Sequence, residues 1–235
     1  MTPVLVGWSG GKDCALALHD LLTNPKLDVV GIVTTFTRPY DRVSMHGVQR
    51  ELIQAQAAQL ALPLVESWIQ AGASNAEYEA AFKSSLQPWI DRGVTTIAWG
   101  DLFLSEIRAY RERMAAEIGL TGHFPIWGRR TDELSREFLQ RGFRARLCCL
   151  DERKLDPGLC GCEFDADLLA QLGPGVDPCG ENGEFHTFVW DAPAFAAPIS
   201  IQAGAERRDS PFVFRDLALT TPEPSSFNQI QECTT

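Results

Sequence analysis

The fold class is decided near the N-terminus by one stretch, Pro3-Val-Leu-Val-Gly-Trp-Ser-Gly-Gly-Lys-Asp13. Its first part, up to Trp8, is a short apolar run, which predicts a buried strand because serine and glycine follow it. From Lys12 to Leu22, alanine and leucine recur at helical spacing, which predicts a helix with one apolar face. The loop Ser9–Asp13, called the glycine loop below, therefore joins a buried strand to a helix.

The glycine loop has the chemistry of an anion site. Glycines let backbone N–H groups approach an anion, and the following helix presents its positive N-terminus to the same point. Lys12 supplies a charge for phosphate oxygens, Ser9 supplies a hydroxyl donor, and Asp13 is suited to Mg²⁺. A Walker A loop would need glycine at position 6 and Ser or Thr at position 13, where the chain has Val6 and Asp13. The alternative is a capped turn that binds nothing.

Strand and helix patterns alternate up to residue 130, which predicts a parallel sheet wrapped by helices. After the first strand and helix, the apolar patterns predict strands at 28–35, 62–68, 94–99 and 124–127 and helices at 48–60, 75–91 and 102–118. Asn75 is the expected cap of the second of these helices. Because ligands bind beyond the carboxyl ends of parallel strands, residues near Val33 and Thr34 and at Gly100 and Asp101 are candidate site residues.

The pattern changes in the C-terminal part of the chain. It predicts helices at 131–141, with Thr131 as cap, and at 166–172, and strands at 143–150, 185–190, 199–203 and 212–219. We therefore expect a first domain over residues 1–130, a smaller α+β domain over 131–221 and a flexible tail over 222–235.

The composition excludes several classes of protein. With 45% hydrophobic residues and no apolar run of membrane-spanning length, the chain is not expected to be a membrane protein. The net charge of −10 argues against general affinity for nucleic acid. Residues 108–154 nevertheless carry 11 basic and 7 acidic residues, a local +4. This basic segment could face a phosphate-bearing ligand or an acidic partner, or it could simply be solvated helix surface.

The seven cysteines predict reduced thiols in a cytoplasmic protein, since their number is odd and the N-terminus has no basic signal-peptide region. Cys148, Cys149, Cys160, Cys162 and Cys179 do not have the spacing of common metal sites, so we favour free structural thiols over a metal site. Cys14 lies at a helix N-terminus near Lys12, which predicts a lowered pKa and reactivity.

A second unusual run is Cys179-Gly-Glu-Asn-Gly-Glu-Phe-His186. Its two carboxylates, Glu181 and Glu184, lie among glycines just before an aromatic strand pattern. Carboxylates on such a loop suit a cationic substrate group, a metal ion or ammonium. The alternative is a polar hairpin turn.

Together the two runs resemble known families. The glycine loop is similar to the SGGKD pyrophosphate loop of the ATP pyrophosphatases in the adenine nucleotide α-hydrolase superfamily. The second run resembles the G-E-x-G-E-[FY] signature of the diphthine–ammonia ligases. Further matches in chain order are Gly100-Asp-Leu102, Arg108-Ala-Tyr-Arg-Glu112, Pro125-Ile-Trp-Gly128 and Phe188-Val-Trp-Asp-Ala-Pro193. The resemblance implies an α/β fold with a Rossmann-like (HUP-type) five-stranded parallel sheet, helices on both faces and a smaller α+β domain.

The resemblance also implies a reaction and its residues. Such ligases convert ATP, diphthine on a translation elongation factor and ammonium to diphthamide, AMP and pyrophosphate. The implied ATP-binding residues are Ser9, Gly10, Gly11, Lys12, Asp13, Cys14, Val33, Thr34, Gly100 and Asp101. The implied acceptor-side residues are Glu181, Gly183, Glu184 and His186. Lys12, Asp13, Glu181 and Glu184 are the implied catalytic residues, with Asp13 also the ligand of Mg²⁺.

One departure leaves the acceptor open. His186 stands where family members with established diphthamide chemistry tend to carry a third acid, as in bacterial relatives. A histidine differs from a carboxylate in charge, so the acceptor pocket should differ too. The expected partners are ATP, ammonium and an acidic protein acceptor such as a translation elongation factor. Exposed C-terminal strands would permit a homodimer. Two alternative functions are sulfur transfer to tRNA and non-catalytic sensing of ATP or AMP.

Overall fold

The computed structural model describes residues 1–44 and 46–220, so the expected tail over 222–235 lies outside the described residues. The strands are β1 (Thr2–Gly7), β2 (Leu27–Thr37), β3 (Arg42–Val43), β4 (Leu64–Ile69), β5 (Thr96–Ala98), β6 (Thr121–His123), β7 (Arg144–Asp151), β8 (Phe185–Asp191), β9 (Ile201–Asp209) and β10 (Phe212–Leu219). The α-helices are α1 (Lys12–Leu22), α2 (Arg50–Leu60), α3 (Asn75–Ile90), α4 (Ser105–Glu117), α5 (Thr131–Gln140) and α6 (Ala166–Gln171).

The first sheet confirms the predicted α/β class. Five parallel strands lie in the order β4-β2-β1-β5-β6, and the short β3 adds an antiparallel pairing at the end of β2. The long strand β2 pairs with β1 through its first part and with β4 from Ile32 onward. All five parallel strands therefore direct their carboxyl ends to one edge, where a ligand of such a sheet binds.

Helices cover both faces of this sheet because β1 alternates its apolar side chains between them. Val4 and Val6 pack in one apolar cluster with residues of α1 and α2, whereas Leu5 packs in a second cluster with residues of α3 and α4. All three side chains are fully buried, as expected for a central parallel strand.

Two sequence predictions about the local structure of residues 1–130 are wrong. The fifth parallel strand is Thr121–His123 rather than residues 124–127, which form a turn in which Trp127 N donates to Phe124 O. Proline at position 125 cannot donate to a ladder and favours this turn. Helix α3 is capped by Ser74, in a capping box with Glu77, and not by Asn75.

Thr131 likewise is not the cap of its helix. The N-cap position of α5 belongs to Arg130, and the Thr131 hydroxyl donates to Asp177 Oδ2 over 2.7 Å instead. This bond connects the start of α5 to the loop that carries the second motif.

The C-terminal region forms a separate antiparallel sheet in the order β8-β7-β10-β9. Its core contains the fully buried rings of Phe138, Phe164, Phe185 and Phe188. The apolar cluster on the α1 and α2 side of the first sheet continues through these residues. The two sheets are therefore packed against each other, with β8 against the start of α1.

The basic segment, residues 108–154, is largely neutralised by acids. All ten of its arginines form ion pairs with aspartate or glutamate. Among them Arg111 also lines the main cavity, where it pairs with Asp101 at 2.7 Å. Most of the segment therefore matches the alternative of a solvated helix surface, and Arg111 is the arginine of the segment that lies in the cavity wall. No described helix has the length and apolar content needed to cross a bilayer.

Candidate active site

A cavity of about 760 Å³ lies at the carboxyl ends of β1, β2 and β5, beneath residues 179–187 of the C-terminal part. Its volume is in the range of small-molecule sites. The structure brings together in its wall most of the residues predicted to bind ATP, namely Ser9, Gly11, Lys12, Asp13, Cys14, Val33, Gly100 and Asp101. From the acceptor side it adds Glu181, Gly183 and His186.

The glycine loop is fixed in place by a buried glutamine. The Gly10 carbonyl accepts hydrogen bonds from Gln56 Nε2 at 3.0 Å and from Val189 N at 2.8 Å. Gln56 also accepts from Trp8 Nε1 at 2.8 Å and donates to Val189 O at 2.6 Å. Gly10 itself has a φ of +83°, and a Cβ there would lie 2.7 Å from Ile53 Cδ1. The loop is thus held in place by contacts with α2 and β8, although Gly10 does not line the cavity.

A second close approach between backbone segments requires glycine at position 100. A Cβ at this position would lie 2.6 Å from the carbonyl of Asp13. The end of β5 therefore lies against the first turn of α1, which only glycine allows. This contact brings Asp101 and Asp13 to the same wall of the cavity.

Lys12 is at the centre of the site and is 3% exposed. Its ammonium donates to Asp13 Oδ1 at 2.9 Å, to Asp13 Oδ2 at 2.7 Å and to the Cys179 carbonyl. Burial alone would lower the pKa of Lys12, but Asp13, Cys179 and Glu181 outweigh it and raise the pKa. Lys12 therefore keeps its positive charge inside the protein.

Asp13 lies among other acids. Burial raises its pKa, the Lys12 ammonium opposes this effect, and Asp177 and Asp101 raise it further. A bound cation would relieve this concentration of carboxylates, and Mg²⁺ prefers one or two carboxylates together with phosphate oxygens. Asp13 therefore fits the predicted role of magnesium ligand. In the described part of the chain, no group of three or more His, Cys, Asp or Glu side chains is arranged to hold a metal ion.

Glu181 lies in the second motif, and its side chain contacts the backbone of the first domain. Its Oε1 accepts a hydrogen bond from Leu102 N at 3.0 Å, just beyond β5. Burial raises its pKa to about 7, against the opposing effect of that hydrogen bond. The side chain lines the cavity and can therefore gain or lose a proton near neutral pH.

Glu184 has a different position from the one predicted. Its carboxylate is buried, does not line the cavity, and accepts from Asp177 N at 3.1 Å and Asn182 Nδ2 at 3.3 Å. It holds the loop of residues 177–184 in shape, so the predicted direct contact with substrate is not supported. Thr34 is likewise buried away from the cavity, and its hydroxyl donates to Trp8 O at 2.7 Å.

Sequence reasoning missed four residues that organise the site. Asp177 Oδ1 accepts from Cys179 N at 2.8 Å, a turn bond that the run Asp177-Pro-Cys-Gly could have suggested. Thr187 Oγ1 accepts from Lys12 N at 3.0 Å. The other two are Gln56 and Arg111. Thr187 and Gln56 bind partners far away in the sequence, so no local pattern could reveal them. Arg111, in contrast, pairs with Asp101 only ten positions away.

A fifth residue, His46, was also missed. It lies in the turn after β3 and lines the cavity opposite His186, with the two ring centroids 4.2 Å apart. Burial lowers the pKa of His46 to about 4 and the pKa of His186 well below its usual range. Both rings are therefore uncharged at neutral pH.

The buried cysteines have the raised pKa values of structural thiols rather than of reactive groups. Burial raises the pKa of Cys14, so the predicted lowering at the helix N-terminus is wrong. Burial also raises the pKa of Cys148, and that of Cys149, Cys160 and Cys179 to about 12, 11 and 12. Cys162 is exposed. Cys233 lies outside the described residues.

Comparison with known proteins identifies the family. The N-terminal domain model of diphthamide synthase matches residues 2–122, and the C-terminal domain model of diphthamide synthase matches residues 130–214. No curated protein sequence matches the chain significantly. The two models match in chain order and between them cover most of both sheets. The chain therefore belongs to the diphthamide synthase family, whose members resemble diphthine–ammonia ligases.

Proposed function

We propose that this protein is an ATP-dependent ligase that activates a carboxylate acceptor as its adenylate and amidates it with ammonium, releasing AMP and pyrophosphate. The observation that carries the proposal is the seating of the glycine loop. Its Lys12 and Asp13 line a cavity at the strand ends of a parallel sheet and face Glu181 of the C-terminal part. Membership of the diphthamide synthase family supports an enzyme that uses ATP.

The glycine loop would bind the phosphates of ATP. The positive N-terminus of α1 and the Lys12 ammonium would stabilise the negative charge that develops on the departing pyrophosphate. Asp13 would hold Mg²⁺, with Asp101 on the same wall, and that ion would supply further charge neutralisation when bound. Correct positioning of the acceptor oxygen against the α-phosphate can contribute up to about 7–11 kcal/mol.

Amidation would follow in the same cavity. Ammonium first loses one proton, and the resulting ammonia nitrogen attacks the acyl carbon of the adenylate. A C–N bond forms, and the C–O bond to AMP breaks with its electron pair on AMP. The attacking nitrogen must lose protons in this step. Glu181 is a candidate acceptor for one of them, because burial raises its pKa to about 7 and it lines the cavity.

We further propose a division of labour along the chain. Residues 1–130 would bind ATP, and residues 131–221 would face the acceptor. One candidate acceptor is an elongation factor that carries diphthine.

The buried thiols with raised pKa do not favour the alternative of sulfur transfer to tRNA, which would need accessible thiolates.

The test is an assay of AMP and pyrophosphate release from ATP with a panel of carboxylate acceptors and ammonium. The proposal predicts AMP formation that depends on both acceptor and ammonium, together with an amide product. Binding of ATP without any turnover across the panel, including diphthine-bearing elongation factor, would favour the sensor instead. Copurification of tRNA that gains thiouridine would favour sulfur transfer.

A further inference from the structure

Two ion pairs line the same cavity, and the second of them has no role in the site described so far. Lys12 Nζ lies 2.7 Å from Asp13 Oδ2, and Arg111 Nε lies 2.7 Å from Asp101 Oδ2. All four side chains line the cavity together with Glu181. Among the described residues, the wall therefore carries two cationic side chains and three carboxyl groups. It offers no excess of positive charge to the phosphates of a nucleotide.

The Lys12 ammonium uses all its donors within the protein. An ammonium group has three N–H donors. Their acceptors are Asp13 Oδ1 at 2.9 Å, Asp13 Oδ2 at 2.7 Å and the Cys179 carbonyl. A phosphate oxygen can therefore bind Lys12 only in exchange for one of these acceptors. The Asp13 side chain is 26% exposed and can turn away, whereas the Cys179 carbonyl is backbone in a turn that Asp177 holds at 2.8 Å.

The Arg111 guanidinium is placed by two contacts, only one of which is with an acid. Its Cζ lies 5.3 Å from the ring centroid of Trp99. Trp99 is buried, and a Cβ on Gly7 of β1 would lie 2.3 Å from its Cδ1, so the central strand fixes this ring. Because a guanidinium binds favourably over an aromatic face, Arg111 keeps its place at the cavity wall without Asp101.

The contact between Arg111 and Asp101 is close but poorly directed. Within residues 1–44 and 46–220, neither Arg111 Nε nor Asp101 Oδ2 has a hydrogen-bond partner of good geometry, although the two buried atoms lie 2.7 Å apart. A buried polar atom without a well-directed partner is costly, so each atom gains when a ligand supplies one. A phosphate oxygen suits the guanidinium, and a divalent cation suits the carboxylate.

We propose that Arg111 is a second phosphate-binding residue beside Lys12, and that Asp13 and Asp101 block both cations in the free protein. Nucleotide phosphates gain Lys12 and Arg111 when the two carboxylates turn to a divalent cation. The inference rests on the proposed function and makes it more specific, since the site then binds ATP together with the divalent cation and excludes ATP alone.

The native protein provides the first test. Isothermal titration calorimetry measures the dissociation constant of α,β-methylene ATP, which cannot be cleaved between its α and β phosphates, in Mg²⁺ and in EDTA. The proposal predicts binding at least about tenfold tighter in Mg²⁺, the scale of one charge-assisted hydrogen bond. Equal affinities in the two buffers overturn the proposal.

Neutral variants of the two aspartates give a sharper test, because they should strengthen binding. Asp13→Asn and Asp101→Asn each free one cation, so each should bind the analogue in EDTA about tenfold more tightly than the native protein does. Glu181→Gln is the matched control. It removes a carboxyl group from the same cavity, but the hydrogen bond of that group is to Leu102 N, so binding should tighten much less. An equal gain in the Glu181 variant would reduce the effect to net charge and contradict the exchange.

The role of Arg111 is tested by combining variants. Arg111→Gln alone should weaken binding of the analogue in Mg²⁺ about tenfold. In the double variant Asp101→Asn/Arg111→Gln, the gain that Asp101→Asn gives in EDTA should disappear, because no cation is left to free. A gain that persists without Arg111 removes this residue from phosphate binding. If a variant at position 101 fails to fold, Arg111→Gln and Asp13→Asn still decide the two parts of the proposal.

The two proposals fail in different ways. Because these titrations measure binding without turnover, a protein that forms no AMP with any acceptor can still show the exchange. Conversely, AMP formation by a protein whose affinity for the analogue is independent of Mg²⁺ and of both aspartates would retain the ligase and remove the exchange.

Discussion

The backbone N–H of Lys12 donates a hydrogen bond to Thr187 Oγ1 over 3.0 Å, across 175 positions of sequence. Helix α1 has Gly11 at its N-cap, and no side chain there satisfies the first N–H groups. Thr187, from β8 of the second sheet, therefore caps the helix in place of a local residue. The geometry of the glycine loop in the first sheet thus depends on a strand of the second sheet.

Loss of this cap should destabilise the protein. Thr187→Val keeps the shape of the side chain but leaves the buried Lys12 N–H without an acceptor, so the free energy of unfolding should fall by about 1–2 kcal/mol. Urea unfolding measures this change, and the KM for ATP should rise with it. Thr187→Ser, which keeps the hydroxyl, is the control. Equal stability of the two variants would show that the hydrogen bond is not what holds the helix.

Removal of the Lys12 ammonium should abolish most of the formation of AMP from ATP. Lys12→Ala should lower AMP formation at least about 100-fold, the scale for one strong donor to a transition state. Quantification of AMP by chromatography under saturating ATP measures the effect. Lys26→Ala, at an exposed lysine, is the control and should retain full activity. An unchanged rate in the Lys12 variant would remove the glycine loop from the mechanism.

The titration of Glu181 should be visible in the pH dependence of stability. Since burial raises its pKa from 4.5 to about 7, the folded protein binds this proton more tightly than the unfolded chain does. The resulting stabilisation is complete below about pH 4.5 and is lost as the pH rises through about 7.

Glu181→Gln removes this titration but keeps an acceptor for Leu102 N. The free energy of unfolding of the native protein, relative to the variant, should therefore fall between pH 4.5 and 7 and then level off. Urea unfolding of both proteins at a series of pH values measures it. A difference that stays constant or grows across this range would contradict the raised pKa.

The buried Gln56 should be more important for stability than its helix position suggests. Gln56→Leu leaves Trp8 Nε1 and the Gly10 carbonyl with fewer partners, so we expect a loss of about 2 kcal/mol or more in the free energy of unfolding. Gln54→Leu makes the same substitution at an exposed position of α2 and should cost less than about 0.5 kcal/mol. Similar losses in the two variants would argue against the buried network.

The cysteines should differ in their reactivity. Iodoacetamide followed by peptide mapping of the native protein should label the exposed Cys162 readily. Cys14 should remain unlabelled until the protein unfolds, because it is buried and burial raises its pKa. Labelling of Cys14 as fast as that of Cys162 would restore the idea of a reactive thiol at the glycine loop.

Much of the fold could be predicted because local patterns determine it. The helix from Lys12 to Leu22 was predicted with the bounds that the structure shows, since the glycine loop and the apolar spacing mark both its ends. The strand at Thr121–His123 was missed because it is short and carries no apolar run. Edge strands of this kind are specified by their pairing partner, here β5, and not by their own residues.

The prediction for Cys14 failed for a related reason. A helix N-terminus and a nearby lysine lower the pKa of an accessible thiol, and both features are visible in the sequence. The burial that raises the pKa instead depends on residues that pack over it from elsewhere in the chain. Local charge can be read from spacing, whereas the burial of this one thiol could not.

The sequence by itself determined which chemical groups this protein offers to a ligand, because the types of residue in Ser9–Asp13 and in the second motif limit what each loop can bind. Only the tertiary structure decided which groups meet. It placed Glu181 in the cavity and Glu184 behind it, and it brought His46 to within ring contact of His186. The physical reason is that contacts between distant segments arise from how the two sheets pack, and no local spacing encodes that packing.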